Sequence, residues 1–239
     1  MSIAATELSV LHYRSFDDRK IELDPGITVL VGRNAVGKTN LVEALQLLTA
    51  GASFRKPTAS ELLRDGEGSG RIRLMLEGEG RLIEMGLDFS EGKRSFTRNG
   101  KKTRAAGIRG VLPSVLFCPD HLDMVKRSAS RRREALDSFG VQLNENYAKL
   151  LAAYERTVEQ RNNLLHDGYA PGLLEVWDES LATTGAQLLL HRTALLERIR
   201  EHFIEVYRAI APHEEPDVRY VPSFGELADG REAIAAQFL

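Results

Sequence analysis

Gly32-Arg33-Asn34-Ala35-Val36-Gly37-Lys38-Thr39 matches G-x-x-x-x-G-K-[ST] in full, and it decides the fold because such a loop requires a buried strand before it and a helix after it. Both flanks carry the pattern. Ile27-Thr28-Val29-Leu30-Val31 is a β-branched and aliphatic run entered through Asp24-Pro25-Gly26, which predicts a central strand. Leu41, Ala44, Leu45 and Leu48 then recur at helical spacing until Gly51. Glycines 32 and 37 let the backbone turn tightly and aim N–H groups at phosphate oxygens, and the new helix adds the positive end of its dipole. Lys38 is the catalytic candidate, reaching the β- and γ-phosphates, and the Thr39 hydroxyl is the candidate Mg²⁺ ligand. The candidate nucleotide-binding set is Gly32, Arg33, Asn34, Ala35, Val36, Gly37, Lys38, Thr39 and Asn40.

The 239 residues suffice for one large domain or two lobes. A lone Cys118 excludes an internal disulfide framework and suits a reducing cytoplasm, and the six histidines never pair at metal-ligand spacing, which argues against a zinc site. No signal peptide, lipidation signal or apolar run near the ~18 residues of a membrane span is visible, so a cytoplasmic protein without a membrane partner is expected.

The net charge of −2 does not announce a polyanion partner, but its distribution is uneven. Lys93, Arg94, Arg98, Lys101, Lys102, Arg104 and Arg109 occur without an intervening acid, and Asn99-Gly100 at the centre predicts a type I′ hairpin. Lys126, Arg127, Arg131, Arg132 and Arg133 form a second cluster at the start of a helical segment. Such clusters either neutralise DNA phosphates or are solvated faces balanced elsewhere.

Residues 7–117 read as the α/β part. Leu8 to Tyr13 and Arg19 to Leu23 predict two strands, Arg71 to Glu77 and Arg81 to Phe89 a hairpin through Gly78-Glu79-Gly80, and Val115 to Phe117 a short buried strand. From Arg131 to His166, Leu136, Phe139, Leu143, Tyr147, Leu150, Tyr154 and Val158 keep helical spacing up to Asp167-Gly168. A second stretch runs from Trp177 through Ile210 and closes at Pro212, so an antiparallel helical hairpin projecting from the α/β part is expected.

Three segments together carry a family resemblance: Leu11-His12-Tyr13-Arg14-Ser15-Phe16; Lys38-Thr39-Asn40 running into Leu41-Val42-Glu43-Ala44; and Val115-Leu116-Phe117-Cys118-Pro119-Asp120-His121-Leu122-Asp123-Met124-Val125-Lys126, followed by Arg131-Arg132-Arg133-Glu134-Ala135-Leu136-Asp137. From about residue 8 to at least residue 200 the chain resembles the RecF family, bacterial recombinational-repair ATPases of the SMC-like branch of ABC ATPases. The resemblance implies an α/β fold: an ABC-type P-loop ATPase lobe, incomplete, with an inserted antiparallel helical-hairpin lobe. The implied domains are residues 1–127, the N-terminal part of the ATPase lobe; 128–211, the helical lobe; and 212–239, the start of the return to the ATPase lobe.

It further implies an ATP- and Mg²⁺-dependent protein of DNA repair and replication that binds single-stranded and gapped double-stranded DNA, forms an ATP-dependent homodimer when complete, and aids recombinase loading with recombination mediator proteins. On this resemblance Arg14 stands near the nucleotide and Asp120 falls in the Q-loop segment. Lys93, Arg94, Arg98, Lys101, Lys102 and Arg104 are the candidate DNA-binding residues. Ala35 stands where the family often has glycine after the loop asparagine, and weakened nucleotide binding at most is expected from so small a side chain.

Two elements of a competent ATPase are missing from the sequence. An apolar strand ending in an acid is not seen, since Pro119 interrupts Val115 to Asp120. The nearest string to LSGGQ, Thr183-Thr184-Gly185-Ala186-Gln187, lies inside a predicted helix, where no free N-terminus meets phosphate. In RecF-like proteins both elements lie further along the chain, so these residues are expected to be the front part of a longer protein that alone binds nucleotide weakly and does not hydrolyse it. A P-loop phosphotransferase with a helical lid over a small-molecule acceptor, or a non-hydrolysing interaction module, are the alternatives.

Overall fold

The computed structural model describes residues 3–126, 128–168 and 172–239, with the Asp120 side chain outside the description. Arg127 therefore lies outside the described residues. The chain separates into two compact units, residues 1–117 and 118–239.

The first unit is built on a six-stranded antiparallel sheet in the order β2-β1-β3-β4-β5-β6, from β1 (Ala4–Tyr13), β2 (Phe16–Glu22), β3 (Ser69–Gly78), β4 (Arg81–Ser90), β5 (Lys93–Arg98) and β6 (Lys101–Thr103). Alternation assigns its faces. Leu8 and Val10 of β1, Ile72, Leu74 and Leu76 of β3, and Ile83, Met85, Leu87 and Phe89 of β4 are buried together with Leu41, Ala44, Leu47 and Leu48 of helix α1 (Lys38–Thr49). A positive φ at His12 interrupts the alternation in β1 and turns Tyr13 inward, edge-on to Phe89 at 6.0 Å. Three tight turns use left-handed residues: Arg14 between β1 and β2, Glu79-Gly80 between β3 and β4, and Asn99-Gly100 between β5 and β6. Positive φ at both central residues makes the last two type I′, and Asn99 is pinned by its N–H donating to the Glu84 carbonyl and by its side-chain oxygen accepting from Glu84 N, both at 2.8 Å.

Two predicted strands are not formed. Ile27 to Val31 and Val115 to Phe117 pair with no strand among the described residues, and Ile27, Val29, Val31, Val115 and Phe117 are exposed. Their composition suits a strand, but a strand exists only where a neighbour accepts its ladder. Asp24-Pro25-Gly26 does turn as expected, with Asp24 Oδ1 accepting from Gly26 N at 2.7 Å.

The second unit is helical: α3 (Asp123–Lys126), α4 (Ala129–Leu143), α5 (Glu145–Asp167), α6 (Leu173–Ile210) and α7 (Arg231–Phe238), following a single turn, α2 (Ala59–Leu62), in the first unit. The expected single helix from 131 to 166 is two helices, because Asn144 leaves the helical conformation and its Oδ1 caps α5 by accepting from Asn146 N. α5 and α6 form the antiparallel hairpin, with Thr157 against Ser180 and Arg161 bonded to Asp178. The LSGGQ-like string is a packing seam: Gly185 leaves room for the Phe238 ring of α7, and Ala186 is fully buried beside Ile234. Residues 212–239, expected to begin a return to the ATPase lobe, pack α7 on α6 and tie back through Arg200–Asp217 and Tyr207–Glu214.

A buried ion pair closes α4 against α6. The Arg192 guanidinium grips Asp137 at 2.8 and 2.6 Å, the Tyr147 hydroxyl donates to the same carboxylate, and Gly140 makes room for the Tyr147 ring. Removing one partner strands the other in a site where its charge is desolvated. Asp137→Ala is expected to destabilise the helical unit by about 3–5 kcal/mol, measured by urea unfolding followed through far-UV circular dichroism.

Candidate nucleotide site

The loop from Gly32 to Thr39 runs straight into α1. Gly37 is the residue before the helix, with φ 101°, and its carbonyl accepts from Asn40 N and Leu41 N at 2.9 and 3.2 Å. No side chain caps this end, so the Lys38 and Thr39 N–H groups at the helix start are left to an outside acceptor. The Lys38 ammonium donates to the carbonyls of Gly32 and Arg33 at 2.7 and 2.8 Å, which folds the loop around its own lysine. Thr39 is exposed at the helix start. Gly37 has a second reason to be glycine: a Cβ there would stand 2.6 Å from Phe16 Cζ and from Ser15 Oγ. The β1–β2 turn thus presses directly on the loop.

Ala35 occupies the left-handed region at φ 66°. A Cβ in that conformation costs roughly 1–2 kcal/mol, so the penalty expected from the missing glycine is one of backbone strain. Glycine adopts this conformation freely. Ala35→Gly is expected to stabilise the fold by about 0.5–1 kcal/mol, measured by urea unfolding.

Behind the loop stands a group that the sequence did not announce. Glu43 of α1 is wholly buried, and its two oxygens accept from Tyr13 Oη at 3.0 Å, Arg14 Nε and Nη2 at 3.1 and 2.9 Å, Ser53 Oγ at 2.7 Å and Arg55 Nη1 at 3.1 Å. Arg55 also donates to Asn40 Oδ1 at 2.9 Å, and Asn40 Nδ2 to Ser15 Oγ at 3.3 Å. Arg14 is thereby brought to the α1 side of the β1–β2 turn, committed to Glu43. Burial opposes ionisation of Glu43, but the hydrogen bonds from Arg14 and Ser53 and the Arg14 charge outweigh it and hold the carboxyl below its ordinary 4.5. Burial, and then the Glu43 charge, push the Tyr13 phenol upward.

A depressed carboxylate contributes stability that is complete above its unfolded value and lost as pH falls through the folded one. Glu43→Gln is expected to flatten this acid dependence below pH 4.5, checked by denaturant melts of both proteins between pH 6 and pH 3.

A second cluster, His12, Asp17 and Glu67, brings potential ligand atoms within 4.8 Å of one another, but Arg64 already pairs with Asp17 at 2.8 Å, and the group reads as a brace of the β1–β2 turn. The Asp120 side chain lies outside the description. Of the expected DNA contacts, Lys93 and Lys102 lie on the sheet face away from α1, whereas Arg94, Arg98 and Lys101 lie on the other face, where the Arg94 guanidinium donates to the Pro57 carbonyl. Arg104 follows β6 at the start of a 3₁₀ turn.

A family model described as AAA domain matches residues 7–166. The chain belongs to the AAA domain family. It is 36% identical over 233 residues to the DNA replication and repair protein RecF of Arthrobacter sp. (strain FB24), covering 93% of this chain and 58% of that protein. The RecF of Kineococcus radiotolerans is 38% identical over 234 residues, covering 93% and 60%, and that of Streptomyces avermitilis 33% identical over 247 residues, covering 98% and 66%. A solved structure of the recombination mediator protein RecF-ATPrS in the RecFOR pathway superposes with a TM-score of 0.90 at 29% identity, over 98% of this chain and 65% of that one; the RecF-ATP structure gives 0.87, over 99% and 66%. The likeness to RecF therefore extends along nearly the whole chain, and the fold is that of a P-loop ABC-type ATPase lobe with a helical lobe. The chain spans a little over half the length of the first of these relatives. Among the described residues no helix is long and apolar enough to cross a membrane.

Proposed function

We propose that this chain provides the nucleotide-binding part and the helical lobe of a RecF-like, ATP-dependent protein of DNA repair and replication. The observation that carries the reading is the Gly32–Thr39 loop itself, closed by a left-handed Gly37 and continued by an uncapped helix end, within a fold shared with RecF structures named for bound ATP. In this reading Lys38 swings from the Gly32 and Arg33 carbonyls onto the β- and γ-phosphates, and Thr39 supplies the hydroxyl for Mg²⁺, which neutralises phosphate charge when bound. Gly37 and the first-turn N–H groups receive the phosphate oxygens, and Asn40, tied to Ser15 and Arg55, holds the helix start against the β1–β2 turn.

In the same reading the domains are residues 1–127, 128–211 and 212–239, and Ile27, Val29 and Val31 form the strand ahead of the loop when flanked by the remainder of a RecF-length chain. There two copies enclose nucleotide between them, and ATP controls the grip on single-stranded and gapped DNA and the hand-over to recombination mediators in the cytoplasm.

Lys38→Ala removes charge-assisted hydrogen bonds to phosphate, each worth about 1.5–3 kcal/mol. The expected result is a loss of at least about tenfold in affinity for a fluorescent ATP analogue with unchanged circular dichroism. Equal affinity in wild type and Lys38→Ala would sink the nucleotide reading.

A further inference from the structure

The sheet face opposite α1 carries a broad groove of about 920 Å³. Arg71 on β3, Lys93 on β5 and Lys102 on β6 line it from three separate strands, with Ser69, Ser90 and Ser95 between them, and Arg94 of β5 also borders it. Register places them on one face: Arg71 stands opposite Asp88, which stands opposite Ser95, while Ser69 pairs Ser90, Ser90 pairs Lys93, and Thr97 pairs Lys102. The nearby acid does not cancel them. Asp88 is occupied by Arg73 at 2.6 Å, and Arg73 can lie across the sheet because Gly86, beneath it, has no side chain. No ion pair joins Arg71, Lys93 or Lys102 to a carboxylate among the described residues.

We propose that this groove holds the phosphodiester backbone of a single DNA strand, a site separate from the nucleotide loop on the other face of the sheet. The inference rests on the DNA reading of the preceding section and deepens it by saying which cations touch the strand. Neighbouring strands lie about 4.8 Å apart, so β3 to β6 span ~14 Å. That separation suits successive phosphates of an extended polyanion better than the convergent charges a single small phosphate requires. The Phe89 ring, which borders the groove, is buried, so the floor offers serine hydroxyls and cations rather than a stacking platform; contact is to backbone and insensitive to base. Arg98 and Lys101, on the opposite face, take no part, and the Arg94 guanidinium is held by the Pro57 carbonyl.

The test uses a fluorescein-labelled dT30 oligonucleotide titrated with the full chain at several salt concentrations. In wild type, the logarithm of affinity falls linearly with the logarithm of salt. The variant Arg71→Gln/Lys93→Gln/Lys102→Gln is expected to bind at least tenfold more weakly at 50 mM salt and to lower the salt slope by about two, since each phosphate contact on a single strand contributes ~0.7. The variant Arg98→Gln/Lys101→Gln, on the opposite face, is expected to stay within about threefold of wild type. Ser95→Glu, one negative charge on the groove floor, reports the same site without removing a cation and is expected to weaken binding. ATP-analogue affinity is expected to be the same in all of these proteins. A groove variant within twofold of wild type, or an equal loss in the opposite-face variant, overturns the assignment while leaving DNA binding intact. Wild type that does not bind dT30 defeats the DNA reading and the groove together, while the nucleotide reading stands on its own titration.

Discussion

A buried carboxylate must be satisfied or it destabilises the structure that holds it, and Glu43 meets that requirement by joining three separate segments. Tyr13 and Arg14 come from the first hairpin, Ser53 and Arg55 from the loop after α1, and the acid itself from the helix that the phosphate loop opens into. None of these segments can shift alone without leaving a charge unpaired. The sheet supplies the apolar half of the same arrangement, since Leu41, Ala44, Leu47 and Leu48 lie against β3 and β4 and fix the helix from below. The orientation of the loop is therefore set by a polar clamp on one side and close packing on the other.

The helical unit uses the same device at a second place. Asp137 is shared by Arg192 and Tyr147 and fixes α4 on α6, with Gly140 shaped to admit the tyrosine ring. Long helices pack through stripes that tolerate sliding by a turn, and a single buried ion pair favours one register over its neighbours.

Much of this was legible where the sequence carries local chemistry. The loop and α1 follow from the Gly-Lys-Thr motif and the leucine spacing, and the hairpins at Glu79-Gly80 and Asn99-Gly100 follow from residues that tolerate positive φ. Ile27 to Val31 and Val115 to Phe117 went the other way, because a strand depends on a neighbour that a local window cannot supply. The helix break at Asn144 had a signal, a capping side chain inside an apolar repeat, that the leucine periodicity on either side concealed. Family resemblance alone put Arg14 near the nucleotide, and its partner in the structure was harder to foresee: Glu43, four residues before the buried Leu47, looks like an ordinary surface acid until Arg55 and Ser53 arrive from beyond the helix. The basic run around Asn99 was visible as charge, but only the pleat separates Lys93 and Lys102 from Arg98 and Lys101.

The contact between Gly37 and the Phe16 ring makes the phosphate loop less self-contained than its eight-letter signature suggests. A loop grafted onto another strand–helix pair would leave behind the aromatic wall that bears on its glycine. Conversely, a change at Phe16, twenty-one positions upstream, would register as a defect of the loop. The motif marks the place of the site, while the template for its shape is kept in the first hairpin.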